Sequence, residues 1–159
     1  MNLVTFDNII KDVNVYVNDI HKSQFQDISD GISVFKNIQP RNGNDEFGKF
    51  CLSIFPNHTI NWNFIRKSPL NQLEPNYIHT DEMMGDITCI LYLNKNHPVN
   101  DGTIIYDEEG KTLVTIFSKL NRMIAFNSDA PHSRSIIQNF GQGEDARLIQ
   151  IVFLKSNDR

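Results

Sequence analysis

Between Thr5 and Phe25, apolar residues fall at Phe6, Ile9, Ile10, Val13, Val17 and Ile20, the three-and-four spacing that gathers side chains on one face of an α-helix. The pattern predicts a helix over Asp7 to Ile20, with Thr5 or Asp7 as its cap. Beyond Phe25 the period shortens to β-type runs, separated by clusters of Gly, Pro, Asn and Asp. These runs are "ISVFK", "KFCLSIF", "TINWNFIRK", "YIHTD", "ITCILYLN", "GTIIYD", "TLVTIF", "RMIAF", "HSRSII" and "RLIQIVFL". "KFCLSIF" is read as a strand, although "NDEFGKFCLSIF" could equally open a short helix. "DEEGK", Asp107 to Lys111, predicts a tight turn, and "NKNHPVND", Asn94 to Asp101, a longer exposed loop. Roughly eight to ten short strands after one helix imply a mainly β architecture, a sandwich, jelly roll or barrel with the helix on an outer face.

The 159 residues match the length of one domain, and no internal repeat or linker divides them, so a single domain spanning 1–159 is expected. Apolar residues make up 40% of the chain and charged residues 21%, with a net charge of −4, the balance of a soluble globular protein rather than a disordered one. No apolar run approaches the roughly 20 residues of a membrane-spanning helix. "MNLVTFDNIIKD" lacks the basic flank and continuous apolar stretch of a signal peptide, so the expected compartment is the cytoplasm. Two cysteines, Cys51 and Cys89, are too few for a disulfide framework and are read as buried apolar fillers. An acidic total without a Lys/Arg cluster argues against nucleic acid as a partner. The oligomeric state is left open.

Chemistry concentrates in "NYIHTD", Asn76 to Asp81. In a strand Tyr77, His79 and Asp81 would share one face, so an imidazole and a carboxylate project in the same direction. By itself H-x-D also fits a surface or structural pair. The second histidine, His132 in "NSDAPHSRSII", completes two imidazoles and one carboxylate, the facial triad of non-haem Fe(II) sites. Arg147 then opens the apolar strand "ARLIQIVFL", where an arginine facing inward needs an anion and suits a carboxylate. On that strand Arg147, Ile149, Ile151 and Phe153 share the inner face, as Tyr92 does with Ile90 and Thr88 in "ITCILYL". Arg134, two residues after His132, is the alternate anion anchor. Tyr77 could either pack or bond a ligand. Met83 and Met84 fall near the expected mouth of the site. His21, His58 and His97 are read as a helix-end residue and two loop residues without chemistry.

In its order of motifs from Asn76 to Leu154, the sequence resembles the 2-oxoglutarate and Fe(II)-dependent dioxygenases, and among them the prolyl-4-hydroxylase-like branch. "YIHTD" is similar to the iron strand, "GDITCILYLNKN" to the strand that follows it, "RMIAFNSDAPHS" to the pair carrying the second histidine, and "ARLIQIVFL" to the strand of the basic anchor. The resemblance implies a double-stranded β-helix, a jelly-roll or cupin-like barrel, with the N-terminal helix packed outside. It implies His79, Asp81 and His132 as catalytic iron ligands, and Arg147 with the Tyr92 hydroxyl as partners of the distal carboxylate of 2-oxoglutarate. It also implies that O2 and 2-oxoglutarate are consumed, that succinate and CO2 are released, and that a C–H bond of a peptide side chain or amino-acid-like substrate is hydroxylated. Two differences accompany the resemblance. Asp101-Gly102 stands where many members have Gly-Gly, a change expected to matter little, and "NFGQGED" lengthens the turn between His132 and Arg147. Two other readings of the residues are a cupin-like metalloenzyme that does not use 2-oxoglutarate and a non-enzymatic jelly-roll binding module.

Overall fold

The computed structural model describes residues 3–158. Its elements run β1 (Leu3–Asp7), α1 (Val13–Lys22), β2 (Gln26–Ser29), β3 (Val34–Pro40), α2 (Glu46–Ile54), β4 (His58–Ser68), β5 (Ile87–Tyr92), β6 (Gly102–Tyr106), β7 (Thr112–Phe117), β8 (Arg122–Asn127), β9 (His132–Arg134) and β10 (Arg147–Ser156). A 3-10 turn at Gly143–Asp145 absorbs the lengthened connection before β10. Seven strands form one sheet in the order β1-β8-β5-β10-β4-β3-β2, and β7-β6-β9 form a second. Every strand pair is antiparallel. The two sheets face each other as the layers of a double-stranded β-helix, the expected fold.

Strand alternation divides the apolar residues of the larger sheet between two cores. Ile90 and Tyr92 of β5, Ile124 and Phe126 of β8 and Ile149 of β10 face the smaller sheet and pack with its Ile105 and Ile116. The intervening residues, Leu91, Met123, Leu148 and Val152 among them, face outward and are covered by Ile20 of α1 and by Phe47 and Cys51 of α2. Both free cysteines lie in this outer core, fully buried. No helix among the described residues is long and apolar enough to cross a membrane.

The outer core contains one polar cluster. Gln150 is fully buried on β10, where its Nε2 donates to Asp45 Oδ2 at 2.9 Å and to Asn63 Oδ1 at 2.8 Å, and its Oε1 accepts from Tyr16 Oη at 2.6 Å. Asp45 also caps α2, its Oδ1 accepting from Gly48 N at 2.9 Å. Buried polar groups on the sheet are thereby matched by groups on the two helices.

The N-terminal helix starts later than its periodicity suggests. Residues 3–7 instead pair one for one with β8, from Leu3 opposite Phe126 to Asp7 opposite Arg122. Asp7 holds the Arg122 guanidinium at 2.8 Å, so Thr5 and Asp7 belong to a strand and Asp12 is the N-cap. Asn8 then turns the chain at φ 57°. The Asn121 side chain fixes the link from both sides, bonding Ile10 N and Ile10 O at 2.9 Å each. "KFCLSIF" is helical, because Asp45 caps it and Phe47 and Cys51, four apart, bury one face. β2 carries no period that the sequence reveals. "YIHTD" is extended but joins the smaller sheet only through a bridge between His79 and His132, and the strand in "HSRSII" stops at Arg134.

Candidate metal centre and anion pocket

Register across the larger sheet arranges its inner face in rows. Trp62, Phe153, Thr88 and Phe126 are successive cross-strand partners in one row. Deeper in the barrel, Arg66, Ile149, Tyr92 and Arg122 form another, and Arg147 lies beyond it, opposite Ser68. The His132 ring packs on Phe126 with centroids 4.8 Å apart, so the histidines lie at the level of the outer row and the arginine and tyrosine sit further in.

His79 and His132 exchange both backbone hydrogen bonds, at 3.0 and 2.9 Å, which makes them directly opposed residues whose side chains project to the same side. Their ring centroids are 4.4 Å apart. Asp81 is held next to them by its own N–H, which donates to Ser128 O at 2.8 Å. Asp81 Oδ2 lies 2.9 Å from His132 Nε2, and Oδ1 lies 3.6 Å from His79 Nε2. One ligand atom from each of the three residues falls within 4.8 Å of the others. His79 Nδ1 is 3.0 Å from Tyr77 O, and His132 Nδ1 is 2.9 Å from Ala130 O. A carbonyl can only accept, so each Nδ1 carries hydrogen and each ring turns its Nε2 edge toward the shared point. Two imidazole nitrogens and a carboxylate oxygen, oriented in this way, fit a divalent transition metal with coordination positions left open.

Arg147 is 4% exposed. Its one side-chain hydrogen bond goes from Nε to Asp101 Oδ1 at 3.2 Å, and neither Nη bonds any described residue. A buried guanidinium with its outer N–H edge unpaired is incomplete, and a planar carboxylate completes it. Tyr92 lies on the adjacent strand, its hydroxyl 2.6 Å from Thr103 Oγ1 on the smaller sheet. Burial pushes the Tyr92 hydroxyl above its ordinary pKa, which keeps it protonated and able to donate.

Arg134 has a different set of partners. Its Nη1 donates to Glu74 Oε2 at 3.0 Å and Asn139 Oδ1 at 2.6 Å, and its Nη2 to Ile137 O at 3.2 Å. Arg66 approaches the same carboxylate, Nε to Glu74 Oε1, at 2.7 Å. Burial raises the Glu74 carboxyl, but Arg66 and the Asn139, Gln72 and Ser68 donors outweigh it and leave its pKa below the usual value. Burial, and then repulsion from Arg147, lowers the pKa of Arg134. Arg66, Arg134 and Arg147 thus bring three positive charges against the two carboxylates of Glu74 and Asp101, leaving one positive charge in excess.

Tyr77 is 62% exposed, its ring 5.3 Å from that of His79. Met83 is almost fully exposed and lines a small polar cleft with Glu82 and Lys155, while Met84 is partly covered. The sequence alone does not point to Arg66, Thr103 and Trp62, which become visible through pairing across strands, or to Glu74, a loop residue that meets Arg66 and Arg134 only in the fold. Asp101 in place of the first glycine of a Gly-Gly pair is expected to matter little, whereas the structure makes it the partner of Arg147.

No family model matches the sequence, and no curated protein matches it either. Solved structures match over nearly the whole chain. The non-heme alpha-ketoglutarate-dependent epimerase SnoN from nogalamycin biosynthesis superposes with a TM-score of 0.68 at 11% identity, covering 97% of this chain and 77% of that one. HygX from Streptomyces hygroscopicus, with nickel and 2-oxoglutarate bound, gives 0.64 at 10%, covering 97% and 82%. A prolyl hydroxylase from Trichoplax adhaerens, in complex with a hypoxia inducible factor peptide fragment, gives 0.65 at 16%, covering 98% and 84%. At these identities the likeness establishes the fold, which is that of the 2-oxoglutarate and Fe(II) oxygenases.

Proposed function

We propose that the chain is an Fe(II)- and 2-oxoglutarate-dependent oxygenase, residues 1–159 acting as one domain, that hydroxylates a C–H bond of a peptide side chain or amino-acid-like group. One observation carries the reading: a convergent His-Asp-His donor set and a buried arginine with an unpaired N–H edge occupy the interior of one barrel. The donor set suits Fe(II), and the arginine suits one end of a dicarboxylate. HygX, a structure of this fold with nickel and 2-oxoglutarate bound, supports the pairing of a divalent metal with this co-substrate.

In this reading His79, Asp81 and His132 hold the metal. Bound there, Fe(II) and 2-oxoglutarate supply the oxidising chemistry, consuming O2, releasing CO2 and succinate and delivering oxygen to the substrate carbon. The Nη edge of Arg147 grips the distal carboxylate, and the Tyr92 hydroxyl, rotating from Thr103, adds a further donor. Ile90, Ile124 and Ile149 keep water from that carboxylate, so each charged hydrogen bond acts at low dielectric. The Asp81 carboxylate would offset part of the metal charge, while the carbonyls of Tyr77 and Ala130 keep both imidazoles in the ligating tautomer.

A peptide substrate is supported by the edge of the smaller sheet. His79 faces β9 with its backbone groups, so those of Ile78 and Thr80 point the other way, and they bond no described residue. An extended chain could pair there as an added strand. Tyr77, next to this edge, is largely exposed.

The decisive experiment measures anaerobic binding of 2-oxoglutarate to the Fe(II)-loaded protein, and succinate release in air, for the wild type and Arg147→Met. Wild type should bind and turn over, and Arg147→Met should bind at least tenfold more weakly, the scale of one lost charge-assisted contact. Metal binding without any effect of 2-oxoglutarate would favour the cupin-like alternative, and no stoichiometric metal would favour a binding module.

A further inference from the structure

We propose that Asp101 is an internal counter-anion that shares Arg147 with the guest carboxylate, and so sets how tightly the pocket holds 2-oxoglutarate. The proposal rests on the reading of Arg147 as the carboxylate anchor. Asp101 is 1% exposed and its carboxylate cannot easily swing away. The Asp101 N–H donates to Pro98 O at 3.1 Å, and its carbonyl accepts from Ser118 N at 2.7 Å. The next residue, Gly102, lies so close to β7 that a Cβ there would overlap the Ile116 carbonyl. The main chain at 101–102 is therefore clamped, and Asp101 Oδ1 stays against Arg147 Nε.

Two consequences follow from that position. Without a guest, Arg147 is a compensated charge rather than a lone buried cation, so the empty pocket is not penalised for its guanidinium. With a guest, two carboxylates lie on adjacent edges of one guanidinium and repel each other in a poorly screened interior. Asp101 occupies Nε and leaves the Nη edge, so it does not block the guest; it raises the concentration at which the guest binds. The single excess positive charge of the wider cluster accommodates one incoming carboxylate, and a guest with two carboxylates at that end would meet net repulsion.

Asp101→Asn separates charge from shape, because the amide oxygen can still accept from Arg147 Nε. Calorimetry with the Mn(II)-loaded full chain should show 2-oxoglutarate binding about tenfold tighter in Asp101→Asn than in wild type, the scale of one like charge a few ångströms away. The metal-free variant should melt at a lower temperature than wild type, with 2-oxoglutarate and Mn(II) narrowing the gap. Asp101→Ser, neutral and smaller, reads the same effect should the Asn variant not fold. If wild type binds, Arg147→Met does not, and the neutral variants bind equally or more weakly, Asp101 is only an orienting group and the proposal is overturned while the anchor reading stands. If wild type does not bind but Asp101→Asn does, the counter-anion is confirmed in its strongest form. If neither binds, the anchor reading and this proposal fall together.

Discussion

Asp45→Asn is the substitution whose cost the structure allows to be worked out most fully. Asp45 Oδ1 accepts from Gly48 N at 2.9 Å and from Asn63 Nδ2 at 3.1 Å. Oδ2 accepts from Arg41 Nε at 2.9 Å and from Gln150 Nε2 at 2.9 Å. An Asn that keeps its oxygen toward Gly48, preserving the helix cap, must aim its NH2 group at Arg41 and Gln150, which are donors themselves. Two donors then lose their acceptor inside the protein, at about 1–3 kcal/mol each, and Arg41 loses its counter-charge. The sum is about 4 kcal/mol, or a fall in melting temperature of about 10 °C for a domain of this size.

The pH dependence of that loss has a definite sign. Burial alone would raise the Asp45 carboxyl, but the donors from Gly48, Arg41, Gln150 and Asn63 outweigh it, so its folded pKa lies below the ordinary value of 3.8. A depressed folded value means that the stabilisation is complete above the unfolded pKa and is lost as pH falls through the folded one. Urea unfolding of wild type and Asp45→Asn should therefore show the full difference at about pH 7 and a shrinking one toward about pH 3. A difference under about 0.5 kcal/mol at neutral pH, the size of an ordinary surface change, or one that stays constant into acid, would refute the reasoning.

Other expectations concern the site itself. His132→Ala should abolish stoichiometric binding of Fe(II) or Co(II), measured by metal analysis after desalting, because two remaining donors cannot hold the ion against buffer. Tyr92→Phe should weaken 2-oxoglutarate about three- to tenfold by calorimetry, because the bond to the carboxylate is charge-assisted but replaces the one Tyr92 already makes with Thr103. Arg134→Ala should lower the melting temperature by several degrees, since Glu74 and Asn139 lose a buried partner worth about 1–3 kcal/mol, while leaving 2-oxoglutarate affinity within about threefold. A larger loss of affinity than of stability would make Arg134 the anchor instead. Trp62, the only tryptophan and 53% exposed, should emit as a solvated indole and shift to the blue when a bound peptide covers its ring.

Much of the barrel was legible because antiparallel strands write their two faces into the sequence with a period of two. The alternation of Leu91 with Tyr92, and of Leu148 with Ile149, gave both the inward face and the approximate strand bounds. The errors came where one local pattern served two structures. Phe6, Ile9 and Ile10 fit a helical stripe, yet Phe6 is spent on pairing with β8 and only the residues after Asp12 coil. Phe47 and Cys51 satisfy helix spacing inside a segment whose apolar run also suits a strand. In the site, His79, Asp81 and His132 were readable as donor types in order. The pairing of Arg147 with Asp101 was not, because residues 46 apart in sequence meet only through the folded barrel, and an aspartate beside a glycine reads as an ordinary loop. Glu74 was hidden for the same reason.

The deep-end contacts have a consequence for how the barrel comes apart. Arg147 and Tyr92 belong to the larger sheet, while Asp101 and Thr103, which they touch, lie just before β6 and at its start on the smaller one. His79, Asp81 and His132 are all carried by the smaller sheet and its edge. A molecule held at one end by that trio and at the other by Arg147 would clip the layers together along a second line, so separating them would mean releasing it first. Loading the site should then slow unfolding more than it speeds refolding, and protect the β9 and β10 amides and the loops between them from exchange and proteolysis even where the equilibrium gain is small.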